Sequence, residues 1–254
     1  MKATLTNIFK MKQSHIFFGE VIGTFILVFI GCGSISLAII YGYLSSLYEV
    51  ATFWTIGVTL AIYASSKLSN AHLNPAVSIA FLIDKQINLK DFINYLLSQL
   101  TGAALAGLLL INLIKNDVLD HNLSTASIFG EYYPNPSFES THSWVTTPIA
   151  LTSEIIATFL LIYTIFWLIK IKKLAPYTPI LIGITVGILI YITAPLTQCC
   201  MNPARDIAPR VISYFYGWQD IAFINNGYGW LIVYIIAPLI GGASGAIVHK
   251  HFHS

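Results

Sequence analysis

An all-α membrane protein, with six spanning helices and two re-entrant half-helices in an inverted 3+3 repeat, is the fold class this sequence predicts. Three observations predict it. Of 254 residues, 56% are hydrophobic and only 9% charged, whereas a soluble domain carries about 25% charged residues. The stretches 21–48, 50–66, 92–114, 155–169, 174–204 and 221–249 contain no Asp, Glu, Lys or Arg. One motif occurs twice, as His72-Leu73-Asn74-Pro75-Ala76-Val77-Ser78-Ile79-Ala80 and as Cys200-Met201-Asn202-Pro203-Ala204-Arg205-Asp206-Ile207-Ala208.

The start, with Lys2, Lys10 and Lys12 ahead of an apolar run, resembles the basic region of a signal peptide. The run is too long for one and lacks a small-x-small cleavage site, so it reads as a retained first span near 16–40. The other charge-free stretches accommodate spans near 50–67, 92–114, 148–170, 177–197 and 229–249, each close to the roughly 20 residues a bilayer requires. A half-helix follows the second span and another follows the fifth. Asn caps exposed backbone N–H groups and Pro fits the first helical position, so each Asn-Pro-Ala opens a helix. From Pro75 the apolar run reaches only Ile83, roughly 13 Å at helical rise. That is about half of a ~30 Å hydrocarbon core. Paired short segments in corresponding halves point to a site at mid-membrane.

The halves match elsewhere. Gly19-Glu20-Val21-Ile22-Gly23-Thr24 in the first span parallels Ser153-Glu154-Ile155-Ile156-Ala157-Thr158 in the fourth. Three spans separate equivalent positions, so the halves insert in opposite orientations and the half-helices meet end to end. The reading is one transmembrane domain, 1–254, made of a first repeat (1–114), a connection (115–147) and a second repeat (148–254). Ten of the 13 basic residues fall on the side holding both termini, all but Lys115, Arg205 and Arg210. That predicts cytoplasmic termini and an outside connection, either a vestibule wall or a solvated linker. Small residues four apart, Gly19/Gly23, Gly102/Ala106, Gly183/Gly187 and Gly241/Gly245, predict close helix packing.

Composition also excludes classes. A formal net charge of +2 with no basic-aromatic cluster argues against nucleic acid. Cys32, Cys199 and Cys200 show neither disulfide nor metal-ligand spacing, and no nucleotide loop, HExxH or cofactor motif occurs. The sequence predicts no cofactor and no enzymatic activity.

At the duplicated box the physics favours a neutral-solute path. Two facing helix N-termini bring together partial positive charges of about half an elementary charge each, which disfavours cations. Asn74 and Asn202 are expected to offer side-chain N–H groups to a passing oxygen. The irregular segments before them, Ala71-His72-Leu73 and Cys199-Cys200-Met201, are expected to expose carbonyls, tolerable in a bilayer where they line a wet cavity. Glu20 and Glu154, costly inside spans, are expected to accept hydrogen bonds from the adjacent re-entrant loops. A proton relay is the rival role. His72 reads as structural and bonded to backbone.

Two Asn-Pro-Ala boxes, the Glu-x-x-x-Thr repeats and Asn202-Pro203-Ala204-Arg205-Asp206 resemble the major intrinsic protein family, the aquaporins and aquaglyceroporins. Trp54, Ala71-His72-Leu73-Asn74, Pro195-Leu196-Thr197 and Tyr133-Pro134-Asn135-Pro136 resemble bacterial glycerol facilitators in particular. The resemblance implies an aquaporin-like fold, a homotetramer in a cell (plasma or inner) membrane, and a passive channel for glycerol, similar small polyols and water. It places the selectivity filter at Trp54, Ile190, Cys199 and Arg205, with Arg205 donating to solute oxygens and repelling cations. Asp206 favours the glycerol class and is expected to hold the loop near Arg205. Ile190 replaces a usual glycine and Cys199 a usual aromatic, a set similar to plant nodulin-like channels. Arg210 and Ile235 fit the glycerol class, whereas Ile114 and Tyr234 do not. A mainly water-conducting channel and a proton-coupled transporter using Glu20 and Glu154 are the alternatives.

Overall fold

Capping residues and helix-breaking loops set the architecture of the computed structural model, which describes residues 12–253. Met1, Lys2, Lys10 and Ser254, included in the expectations above, lie outside the described residues. α1 spans Gln13–Ile39 and α2 spans Leu47–Ser69. A reciprocal Ser46/Glu49 capping box starts α2, and Asn70 in the left-handed conformation ends it. The first half-helix, α3 (Pro75–Ile83), is followed by α4 (Leu89–Ile114).

The connection holds two short helices, α5 (Leu123–Ala126) and α6 (Glu139–His142). Between them Ile128, Phe129, Glu131 and Tyr132 are buried. The solvated-linker alternative therefore fails for the centre of this segment, because its aromatic residues carry the chain inward. Then come α7 (Thr147–Lys170), a tight 3-10 segment over Lys172–Tyr177, and α8 (Thr178–Thr197). The second half-helix is α9 (Pro203–Ser213). α10 (Ile221–Ile224), α11 (Gly229–Leu231), a wider π turn over Ile232–Ile236 and α12 (Ala237–His253) complete the chain. Six helical segments of the described chain are long and apolar enough to cross a membrane. The protein is an all-α, multi-pass membrane protein.

The two halves interlock. α1 packs on α2 and α4, α7 packs on α8 and α12, and α2 packs on α8 across the halves. Each half-helix also lies against the other half, α3 on α12 and α9 on α4. The small residues make this possible. A Cβ at Gly102 would stand 2.4 Å from the Val21 carbonyl oxygen, and one at Gly241 2.4 Å from that of Ile155. Gly242 admits the Ala76 backbone and Gly107 admits Pro209. Such contacts below van der Waals distance tolerate no larger residue. All four sequence-predicted glycine pairs are spent inside the protomer.

Candidate functional site

The site is built by two loops that share one unusual backbone. Asn70, Ala71 and Leu73 have positive φ, and so do Gln198, Cys199 and Met201. Each pair differs by 128 positions, as do Asn74 and Asn202. Left-handed geometry costs a non-glycine residue about 1–2 kcal/mol, so the surroundings must hold it. Glu20 and Glu154 do this. Glu20 accepts hydrogen bonds from the backbone N–H groups of His72 (2.9 Å) and Leu73 (2.6 Å), from the Ser69 hydroxyl (2.7 Å) and from Gln99 Nε2 (2.7 Å). Glu154 accepts from the N–H groups of Cys200 and Met201 (both 2.9 Å) and from the Thr197 hydroxyl (2.6 Å). Both carboxylates are fully buried, and this inward-pointing set of donors satisfies them.

Each loop then turns into its half-helix. Asn74 Oδ1 accepts the Ala76 N–H, and Asn202 Oδ1 accepts those of Ala204 and Arg205. The amide ends reach across the halves: Asn74 Nδ2 donates to the Met201 carbonyl and Asn202 Nδ2 to the Leu73 carbonyl, both at 2.8 Å. One N–H of each amide thereby joins the boxes, and both asparagines line the cavity described next. The positive ends of both half-helices meet at this point.

A cavity of ≈ 280 Å³ runs through the site. Asn74, Asn202 and the segments 71–73 and 199–201 line it together with an apolar wall that includes Leu27, Val58, Leu161 and Val186. Trp54, Ile190, Cys199 and Arg205 line the same cavity. The Arg205 guanidinium carbon sits 4.6 Å from the Trp54 ring centroid, a cation–π contact. Gly31 makes room for that ring, since a Cβ there would come within 2.4 Å of it. Cys199 and Cys200 both lie along the cavity, and the Cys200 thiol donates to the carbonyls of Asn202 and Tyr234.

Arg205 is also ion-paired with Glu131, a contact the sequence reading missed. The Glu131 N–H donates to Asp206 Oδ1 (2.6 Å), and Arg210 donates to Asp206 (2.8 and 3.0 Å) and to the Glu131 carbonyl. Asp206 thus holds the 115–147 connection beside Arg205. Burial pushes the Glu131 carboxyl above its ordinary range, while the Arg205 guanidinium pulls it back. The only available signal was an acid inside the aromatic run Phe129-Gly130-Glu131-Tyr132-Tyr133. His72 also departs from expectation. Its ring bonds the Ser78 hydroxyl (3.1 Å) rather than backbone, and it stacks on Tyr95. Among the described residues no cluster of His, Cys, Asp and Glu is arranged to hold a metal ion.

Comparison with known proteins agrees with this geometry. The sequence profile of the family described as "Major intrinsic protein" matches residues 7–249. The chain is 34% identical to the glycerol uptake facilitator protein of Haemophilus influenzae, covering 91% of each chain. It is 32% identical to the propanediol uptake facilitator of Citrobacter freundii, over 91% of this chain and 89% of that one. The X-ray structure of the aquaglyceroporin from Plasmodium falciparum superposes with a TM-score of 0.75 at 25% identity, covering 95% of this chain and 96% of that one.

Proposed function

The chain belongs to the major intrinsic protein family, and from that premise we propose that it is a passive channel for glycerol, similar small uncharged polyols and water. One observation carries the reading: two half-helix N-termini meet inside a continuous cavity, held by reciprocal asparagine bonds. A permeant hydroxyl passes from Arg205 to the carbonyls of the 199–201 and 71–73 segments, and to the second N–H of each asparagine. The apolar wall opposite accepts the carbon backbone of a polyol. Cations and protons are disfavoured where the positive helix ends meet. Nothing in this path requires catalysis, so the protein is read as a channel and not an enzyme.

Residues 1–114 and 148–254 are read as inverted repeats, with 115–147 forming the outer wall. Trp54, Ile190, Cys199 and Arg205 are read as the filter. Both termini are assigned to the cytoplasmic side of a cell membrane from the lysine distribution. A homotetramer with one pore per protomer is the assembly expected of the family.

Stopped-flow light scattering on proteoliposomes tests the reading, comparing a glycerol gradient with an impermeant sugar gradient. Both glycerol and water should cross faster than in empty vesicles, and glycerol uptake equal to that of empty vesicles would refute the polyol channel. The bulk of Ile190 favours a second reading, a mainly water-conducting pore. Ile190→Gly separates the two. If Ile190 closes the filter to polyols, the variant should gain glycerol flux several-fold more than water flux, about 1 kcal/mol of barrier.

A further inference from the structure

Among the described residues, the Glu131 side chain has one ion-pair partner, Arg205. Its carboxylate and the Arg205 guanidinium are 0% and 3% exposed and form an ion pair. Its backbone is anchored separately, by the N–H bond to Asp206 and the carbonyl bond from Arg210. The carboxylate is therefore not needed to hold the loop in place. A buried carboxylate is costly unless paired, so its position at Arg205 calls for a reason. Among the described residues Arg205 Nη1 has no hydrogen-bond partner, and Arg205 lines the cavity.

We infer, building on the channel reading above, that Glu131 is a further specificity residue of the filter, one that compensates the Arg205 charge and pins its guanidinium against Trp54. The filter then offers Nη1 as a hydrogen-bond donor without becoming an anion site. An uncompensated guanidinium in a low-dielectric constriction attracts anions strongly. Exclusion is divided accordingly: the meeting helix ends disfavour cations, and Glu131 keeps small anions out of the filter. The cation-repelling role expected of Arg205 is reduced by the same pairing.

The assignment makes the filter acid-sensitive. The charged or titratable groups within electrostatic reach of Glu131 are Arg205, Asp206 and Arg210 on α9, Glu154 on α7, Cys32 on α1, Tyr234 in the last span, and the loop residues Tyr132, Cys199 and Cys200. Asp206 is committed to Arg210, and Glu154 to its loop donors. Because burial raises Glu131 above the ordinary carboxylate range, falling pH protonates it earlier than a free glutamate. Arg205 then loses its counter-charge.

The test uses proteoliposomes of the full chain, with sodium nitrate as the probe against sodium gluconate at equal ionic strength. Glycerol uptake and osmotic water flux are both read. At about pH 9, where carboxylates are ionised, the unaltered protein should run equally in both salts. Glu131→Gln should be slowed about two-fold or more in nitrate, the loss expected when the anion reaches its Kd. Glu131→Asp keeps the charge and should stay indifferent to nitrate, whatever its basal rate.

On acidification to about pH 5.5, the unaltered protein should acquire nitrate sensitivity, while Glu131→Gln should show it equally at both pH values. A nitrate-indifferent Glu131→Gln with intact flux overturns the inference. Equal nitrate sensitivity in Glu131→Asp and Glu131→Gln also overturns it, since that marks a packing effect. If Glu131→Gln does not fold, the acid arm decides: nitrate indifference of the unaltered protein at both pH values overturns it. Absence of glycerol flux in the unaltered protein at any pH counts against the polyol reading, and water flux then carries the nitrate test.

Discussion

The loop and half-helix around Asn74 and those around Asn202 share a backbone and differ in almost everything hung on it. Positive φ values recur at the same spacing, both asparagines cap their helices, and both loops are held by a buried glutamate. The side chains then diverge. After Asn74 the sequence is Pro-Ala-Val-Ser-Ile-Ala, and its polar contacts are neutral ones among Ser78, His72 and Gln99. After Asn202 it is Pro-Ala-Arg-Asp-Ile-Ala, and the contacts form a charged network of Arg205, Asp206, Arg210 and Glu131. The difference teaches that one backbone design serves both boxes, whereas the charged network belongs to the second box alone among the two. Val77 occupies the position in the first half that Arg205 occupies in the second.

The sharpest test of that asymmetry is to cut each network at its equivalent residue. Asp206→Ala leaves the buried Arg210 without its ion-pair partner and should cost about 3–5 kcal/mol. Ser78→Ala, at the matching position, removes a neutral hydroxyl and should cost about 1 kcal/mol. Thermal unfolding of the purified protein in detergent reads both, and equal losses would erase the distinction between the boxes.

A smaller effect compares the loop positions Ala71 and Cys199. Cys199 lines the cavity, so a mercurial should block flux and Cys199→Ser should relieve the block. Adding Ala71→Cys to that variant should restore sensitivity, because the equivalent position also lines the cavity. Persistent inhibition in Cys199→Ser alone would place the reactive thiol elsewhere.

The smallest effect compares the residues that end the preceding spans, both in left-handed geometry. Gln198 accepts from the Tyr132 N–H and donates to the Ser127 carbonyl, tying the 115–147 connection to the second loop. Gln198→Gly should therefore lose about 1 kcal/mol or more net of relieved backbone strain. Asn70→Gly gives up one hydrogen bond to Tyr95 and should cost less, about 0.5 kcal/mol, since asparagine and glycine both tolerate this geometry. Matching melting shifts for the two variants would show that the 115–147 connection contributes nothing through Gln198.

What the sequence determined by itself was whatever local chemistry encodes. The expected span 148–170 meets α7 at Thr147–Lys170, and the expected half-helix meets α3 at Pro75–Ile83. Charge-free length, Asn-Pro capping and the spacing of like motifs are properties of neighbouring residues, and they survive translation into helices. Trp54, Ile190, Cys199 and Arg205, singled out through family resemblance and not through periodicity, all line one cavity. Tertiary structure alone decided the rest. The left-handed turns at Ala71, Leu73, Cys199 and Met201 have no glycine to announce them, because distant glutamates impose the geometry. The exchange of asparagine amides between halves joins residues more than 120 positions apart. Glu131 reads in sequence as one more acid in a polar connection. It reaches Arg205 because the aromatic residues beside it find their buried places only once both halves are assembled, and no local pattern records a contact that exists only after packing.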